Sequence, residues 1–119
     1  WGPVCLYVAL IFWVSSSYRP IPGQDFFPQM DKVFHFIEYV PLGVLLSRAF
    51  RQTFPAAAWP RTALLCLLGA ALVGTSDELY QSLIPRKSTS GWDVFADTLG
   101  GSAGLWVYGF FRRRVAKTP

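Results

Sequence analysis

The chain has 119 residues, of which 52% are hydrophobic and 15% are charged, whereas roughly a quarter of the residues in a soluble domain are charged. This length leaves room for one domain over residues 1–119 and excludes two independent cores. The formal net charge of +4 does not indicate a nucleic-acid partner, because the basic residues flank apolar blocks, as they do around membrane spans.

The first two apolar blocks are predicted to be membrane-spanning helices, each of which needs about 20 residues. The first block covers about residues 2–15, and because the chain opens at Trp1, we expect this helix to extend upstream. We do not expect it to be a secretory signal peptide, because no basic flank or small-residue cleavage site is visible. The second block covers about residues 32–50 and contains Pro41, which is expected to kink the helix.

The third block covers about residues 61–84 and turns polar near its end, and the fourth covers about residues 92–111 and is polar at its start. In hydrocarbon every backbone polar group must be bonded internally, and these blocks are too uniformly apolar for membrane β-strands. The sequence therefore predicts an all-α, polytopic membrane protein with a bundle of four transmembrane helices. Cys5 and Cys66 lie inside apolar blocks, so we expect packing residues rather than a disulfide.

Orientation is predicted from Lys and Arg, which accumulate on the cytoplasmic side of a membrane. With four spans, the side that holds both termini and the second connector carries seven of the eleven basic residues. We therefore expect both termini to be cytoplasmic. The other side is expected to face outward and carries all seven acidic residues: Asp25, Asp31, Glu38, Asp77, Glu78, Asp93 and Asp97.

Polar residues on three helices recur at a helical spacing, which places them on one face of each helix. They are Asp31, His35 and Glu38 on the second helix, Asp77 and Gln81 on the third, and Asp93 and Asp97 on the fourth. Ionisable groups within a membrane seek partners or water, so we expect these faces to meet. Ala96, Gly100 and Gly104 form a small-residue ridge for close packing, with Ala70 and Gly74 as the expected counterpart.

Two stretches resemble the signatures of a known family. The first is residues 31–36 (DKVFHF) with Tyr39, and the second combines residues 77–81 (DELYQ), Arg86 and residues 93–100 (DVFADTLG). Together they look like the VanZ-like family, in which the position of Asp97 more often holds Asn. The resemblance implies a small bacterial inner-membrane protein, and the founding member of the family is associated with resistance to the lipoglycopeptide teicoplanin.

These observations predict an outward-facing site for an anionic lipid or lipid-linked cell-envelope headgroup, and they leave open whether part of the headgroup is cleaved or transferred. Lys32 and Arg86 are expected to hold the phosphate, and His35 is expected to accept a proton, oriented by Asp31 or Glu38. The predicted catalytic residues are Asp31, His35, Glu38, Asp77 and Glu78. The predicted substrate-binding residues are Lys32, Tyr39, Gln81, Arg86, Asp93 and Asp97.

Each of these roles has a structural alternative. The polar cluster could only lock the bundle, Lys32 could be an ordinary interfacial lysine, and Tyr39 could be a packing residue. The acids, joined by His35, could instead hold a divalent cation, although no compact ligand motif decides between this cofactor and a salt-bridge network with Lys32 and Arg86.

Two further functions stay open at this stage. One is a non-enzymatic shield that binds a lipoglycopeptide, and the other is ion-coupled transport, which four short helices would achieve only as a homo-oligomer. The expected partners are membrane lipids, a lipid-linked cell-envelope precursor or a lipoglycopeptide, and no nucleic acid.

Overall fold

The computed structural model of the protein describes residues 1–16, 29–85, 87 and 89–115. These residues form four α-helices and contain no β-strand. In chain order the helices are α1 (Gly2–Ser15), α2 (Met30–Thr53), α3 (Trp59–Gln81) and α4 (Gly91–Val115). The prediction of an all-α protein is confirmed. The long connector between α1 and α2 and the predicted phosphate ligand Arg86 lie outside the described residues.

Two helices end at residues other than the predicted ones, and local hydrogen bonds and a proline explain the end of α3. α3 ends at Gln81 instead of near residue 84, because the Leu83 and Ile84 amides donate to the carbonyls of Tyr80 and Gln81 in tight turns, at 3.1 and 3.0 Å. Pro85 follows directly, and a proline disfavours helical geometry in the residue before it. α4 continues to Val115 and has three arginines in its last turn. Positive charge at this end interacts favourably with the helix dipole and stabilises the helix.

The small-residue ridge on α4 packs on α2, and the two backbones lie in direct contact. A Cβ atom added at Gly100 would collide with the Phe36 carbonyl oxygen, and one added at Gly104 would collide with that of Val40. The predicted counterpart on α3 was therefore misassigned. Ala70 faces Gly101 instead, since a Cβ added at Gly101 would lie 2.6 Å from the Ala70 Cβ.

The buried interior is narrow and lies along the contacts of α1 to α3. Ile11, Tyr39, Leu42 and Cys66 have no solvent exposure, and Ala70 continues this core on α3. Burial of Cys66 agrees with its predicted packing role, whereas Cys5 is exposed. The Ser47 hydroxyl donates to the Gly43 carbonyl at 2.7 Å, so this buried polar group is satisfied within α2.

Most large apolar side chains point away from this interior. α2 and α3 are each long and apolar enough to cross a membrane, yet only a third of each candidate span is buried inside the protein. Leu64, Leu68 and Leu72 of α3 are 56, 58 and 68% exposed. The core helix of a soluble protein would bury such residues, so this outer surface suits lipid.

Candidate functional site

Four helix termini converge at one end of the bundle. They are the end of α1, the start of α2, the end of α3 and the start of α4, and they bring together most of the predicted polar residues. The buried polar side chains at this end, with their exposed fractions, are Asp77 (0%), Asp97 (0%), Asp93 (4%), Ser15 (5%), Gln81 (6%) and Glu78 (7%). Carboxylates with so little exposure need charged or hydrogen-bonding partners.

His35 on α2 is held by Asp97 on α4. The Nδ1 atom of the ring lies 3.0 Å from Asp97 Oδ1, so the orienting carboxylate is Asp97 and not Asp31 or Glu38 as predicted. Gly74 on α3 makes room for this pair, because a Cβ there would come within 2.7 Å of Asp97 Oδ2. Three helices therefore shape this pair: α2 carries His35, α4 carries Asp97, and α3 places Gly74 where the Asp97 carboxylate needs space.

A second set of hydrogen bonds joins α1 to α3. The Ser15 hydroxyl and the Gln81 amide both donate to Asp77 Oδ2, at 2.8 and 2.7 Å. The Lys87 ammonium donates to the Gln81 side-chain oxygen at 3.4 Å. Burial lowers the pKa of Lys87, while the nearby carboxylates, including that of Glu38, act in the opposite direction. This lysine is therefore part of the cluster.

The remaining contacts lie at the start of α2 and α4. Lys32 forms ion pairs with Asp31 at 3.1 Å and with Asp93 at 3.3 Å, and its side chain remains 29% exposed. The backbone amide of Ser90 donates to Glu78 Oε2 at 3.0 Å. Lys32 thus stands at the solvent side of the cluster, while Glu78 is tied to the segment that leads into α4.

Several buried polar atoms in this cluster have no hydrogen-bond partner among the described residues. They are Asp31 Oδ1, Tyr39 Oη, Asp77 Oδ1, Glu78 Oε1, Asp93 Oδ1 and Asp97 Oδ2. Asp93 Oδ1 has Lys32 within ion-pair distance, but without hydrogen-bond geometry. Buried polar atoms are nearly always paired in native proteins. Carboxylate oxygens without a donor on Asp77, Glu78 and Asp97, gathered at one end of the bundle, indicate a site that takes up a proton, a cation or a ligand.

The structure brings together nearly all of the predicted site residues that it describes. Glu38 is half-buried on α2, and its main-chain carbonyl accepts a hydrogen bond from the Tyr7 hydroxyl at 2.9 Å. Tyr39 is fully buried, which agrees with its alternative role in packing. The roles assigned to these residues, as catalytic or substrate-binding groups, stay predictions.

Three participants were missed from the sequence. Ser15 is 62 residues from Asp77, and a serine at the end of an apolar block carries no pattern that indicates such a contact. Lys87 follows Gln81 by six residues, and a turn between them could have suggested that the two side chains meet. The Ser90 contribution comes from the backbone, which side-chain patterns do not reveal.

An all-α architecture with apolar side chains on its outer surface, and with carboxylates buried at one end, is that of an integral membrane protein. The family model described as VanZ/LLP1 matches residues 4–112. The chain therefore belongs to the VanZ/LLP1 family, which confirms the resemblance drawn from the two motifs and makes it a VanZ-related membrane protein. Searches of curated proteins and of solved structures found no match.

Proposed function

We propose that the protein crosses the bacterial cytoplasmic membrane four times, with both termini in the cytoplasm and the polar cluster at the outer face. The apolar outer surface supports insertion into lipid. The orientation is supported by Arg112, Arg113 and Arg114, which end α4 opposite the cluster, on the side that the positive-inside rule assigns to the cytoplasm.

Labelling of single cysteines tests the orientation. In a background with Cys5→Ser and Cys66→Ser, Gly91→Cys lies at the cluster end and Gln52→Cys at the other, and both positions are exposed. A membrane-impermeant maleimide applied to intact spheroplasts should label the first and spare the second. Labelling of Gln52→Cys alone would reverse the topology, and labelling of neither or both would contradict four spans with this orientation.

The function that this geometry supports best is binding of an anionic lipid or lipid-linked headgroup at the outer face. The observation that carries the proposal is the convergence of buried polar side chains with Lys32 and Lys87 at the ends of the helices. In the proposed topology these helix ends would lie at the depth of lipid headgroups. Lysine is a common phosphate ligand. A headgroup could enter laterally from lipid, so the site needs no channel.

The same cluster has groups that could move a proton. His35 is partly exposed, and its Nδ1 lies against a buried carboxylate. In the neutral tautomer whose Nδ1–H donates to that carboxylate, Nε2 is the nitrogen that accepts a proton from a bound molecule. This arrangement is compatible with processing of the headgroup as well as with binding. A VanZ-like role in glycopeptide resistance would follow from either, because both act on the envelope surface that teicoplanin reaches.

Lipid retention tests the binding proposal. The protein is purified gently from its membrane, and its bound lipids are measured by native mass spectrometry for the wild type, Lys32→Gln and Lys87→Gln. Arg112→Gln is the matched control, because it removes one positive charge from an exposed position at the opposite end. We expect an anionic lipid in the wild type and the control, and its loss in the two lysine variants. Equal retention in all four proteins would refute the proposal.

A second candidate function is non-enzymatic shielding, in which the protein binds a lipoglycopeptide and keeps it from its membrane target. The buried acceptor atoms without a hydrogen-bond donor in the cluster favour it. Asp77→Glu separates the two, because shielding needs occupancy whereas catalysis needs sub-ångström placement. Retained teicoplanin resistance in cells with normal protein levels would favour the shield. A sharp loss at normal protein levels would favour headgroup processing.

A further inference from the structure

Three helices contribute one ligand-type atom each to a small volume inside the polar cluster. A ring nitrogen of His35, a carboxylate oxygen of Glu78 and a carboxylate oxygen of Asp93 lie within 4.8 Å of one another. Ligand atoms around a zinc-sized ion lie about 2 Å from the ion and therefore about 3.5 Å apart. Small side-chain rotations would bring the three atoms from their present spacing to that distance.

Acidic clusters are common at protein surfaces, but this group is distinguished by the burial of both carboxylates and by an oxygen of Glu78 that has no donor. Glu78 is 7% exposed and its Oε1 has no hydrogen-bond partner. Asp93 is 4% exposed, and its Oδ1 has the Lys32 ammonium at 3.3 Å without hydrogen-bond geometry. An unpaired carboxylate oxygen in a low-dielectric site is costly. A bound cation would offset this cost at Glu78 and would take over the charge pairing that Lys32 gives Asp93.

The hydrogen bond made by His35 prepares its ring for coordination. When Nδ1–H donates to Asp97 at 3.0 Å, the lone pair is on Nε2, which is then the nitrogen available to a metal. Metal-bound histidines usually donate their second ring N–H to a carboxylate or carbonyl in this way. Asp97 has no exposure, so it can fix the ring without itself being exposed to competing ligands.

We propose that His35, Glu78 and Asp93 form a binding site for one divalent first-row transition ion, with His35 coordinating through Nε2 and Asp97 positioning the ring. The imidazole selects a transition ion over Mg²⁺ or Ca²⁺, which prefer oxygen ligands alone. Three protein ligands leave at least one coordination position open, as in catalytic zinc sites. The proposal does not depend on lipid binding, which is measured separately. It is an alternative to proton transfer by His35, because an ion on Nε2 occupies the lone pair that would accept the proton.

Lys32 is the natural competitor of the ion. Its ammonium lies 3.3 Å from Asp93 Oδ1 and 3.1 Å from Asp31. Because its side chain is partly exposed, it can leave Asp93 and remain paired with Asp31 when an ion arrives. The lysine then neutralises Asp93 in the metal-free protein, and its removal should strengthen metal binding.

Metal content and affinity test the site directly. The full-length protein is stripped with EDTA and reloaded with Zn²⁺ or with Mn²⁺, and bound metal is counted by inductively coupled plasma mass spectrometry. Affinity is then measured by calorimetry. Glu78→Gln removes a ligand, whereas Asp77→Asn is the matched control, because Asp77 is the adjacent buried acid and lies outside the group of three ligand-type atoms.

We expect one ion per wild-type chain, unchanged occupancy in Asp77→Asn, and an affinity loss of more than about tenfold in Glu78→Gln, since changes outside the ligand shell already cost 10–100-fold. Lys32→Gln should bind more tightly than the wild type, which gives an independent test if Glu78→Gln does not fold. The proposal is overturned by a wild type that retains neither ion, by equal losses in the two acid variants, or by weaker binding in Lys32→Gln.

Discussion

Replacement of Gly100 by alanine tests the contact that positions the site. A Cβ at this position would collide with the main-chain oxygen of Phe36 and would lie 2.9 Å from the Tyr39 Cβ. Neither atom can move by side-chain rotation, so α2 and α4 would have to separate by on the order of 1 Å. The change therefore acts on the helix pair that holds His35 against Asp97.

The expected cost follows from two opposing effects. Overpacking of a tight contact costs about 1–3 kcal/mol, and the better helix propensity of alanine offsets about 1 kcal/mol of this. The net loss of about 1 kcal/mol corresponds to a fall in Tm of roughly 5 °C for a chain of this size. Gly91→Ala is the control, because a Cβ there has nothing within 4 Å.

The assay is thermal unfolding in mild detergent, followed by far-ultraviolet circular dichroism. We expect Gly100→Ala to melt below the wild type and Gly91→Ala to melt at or slightly above it. If Gly100→Ala melts together with the control, α2 and α4 are not in backbone contact, and the pairing of His35 with Asp97 loses its structural basis.

Three further variants address other contacts. Asp97→Ala leaves the His35 ring without its acceptor and should lower the free energy of unfolding by about 1–3 kcal/mol. Asp97→Asn should lower it less, and equal losses in the two variants would show that the hydrogen bond is unimportant. Ser15→Ala removes a 2.8 Å hydrogen bond to Asp77 and should lower stability by about 1 kcal/mol, in the same melting assay. Leu72→Arg places a charge on a 68% exposed position midway along α3 and should reduce membrane integration by about 2.5–3.5 kcal/mol, measured as the carbonate-resistant fraction beside Leu72→Ala. Unchanged integration would contradict a lipid-facing surface.

The helices and their polar faces could be predicted because hydrophobic blocks and helical spacing are local properties of the sequence. The pairing of particular side chains could not. Asp31 lies one helical turn from His35, so spacing alone favoured it as the orienting acid, whereas the observed partner is Asp97, 62 residues away. That choice depends on how α4 is rotated against α2. The rotation is determined by the close approach at Gly100 and Gly104.

The acids of the cluster do not all sit where a helix favours negative charge. Asp31 and Asp93 lie in the first turns of α2 and α4, where the helix dipole stabilises a carboxylate. Asp77 and Glu78 lie near the end of α3, where the same dipole opposes one. The hydrogen bonds that Asp77 and Glu78 accept must therefore offset a dipole cost that Asp31 and Asp93 do not carry.

Glu78 and Asp93 should therefore respond to neutralisation with opposite signs in the metal-free protein. Glu78→Gln removes a charge from the unfavourable end of a helix and from a site where one oxygen is unpaired, so Tm should rise slightly, by the equivalent of about 0.3–1 kcal/mol. Asp93→Asn loses the favourable dipole interaction and the ion pair with Lys32, so Tm should fall. Addition of Zn²⁺ should then stabilise the wild type and leave Glu78→Gln almost unchanged, so that the order of the two reverses. A metal-free Glu78→Gln protein that melts below the wild type would mean that this carboxylate serves stability, and the argument that it is kept for a ligand would fail.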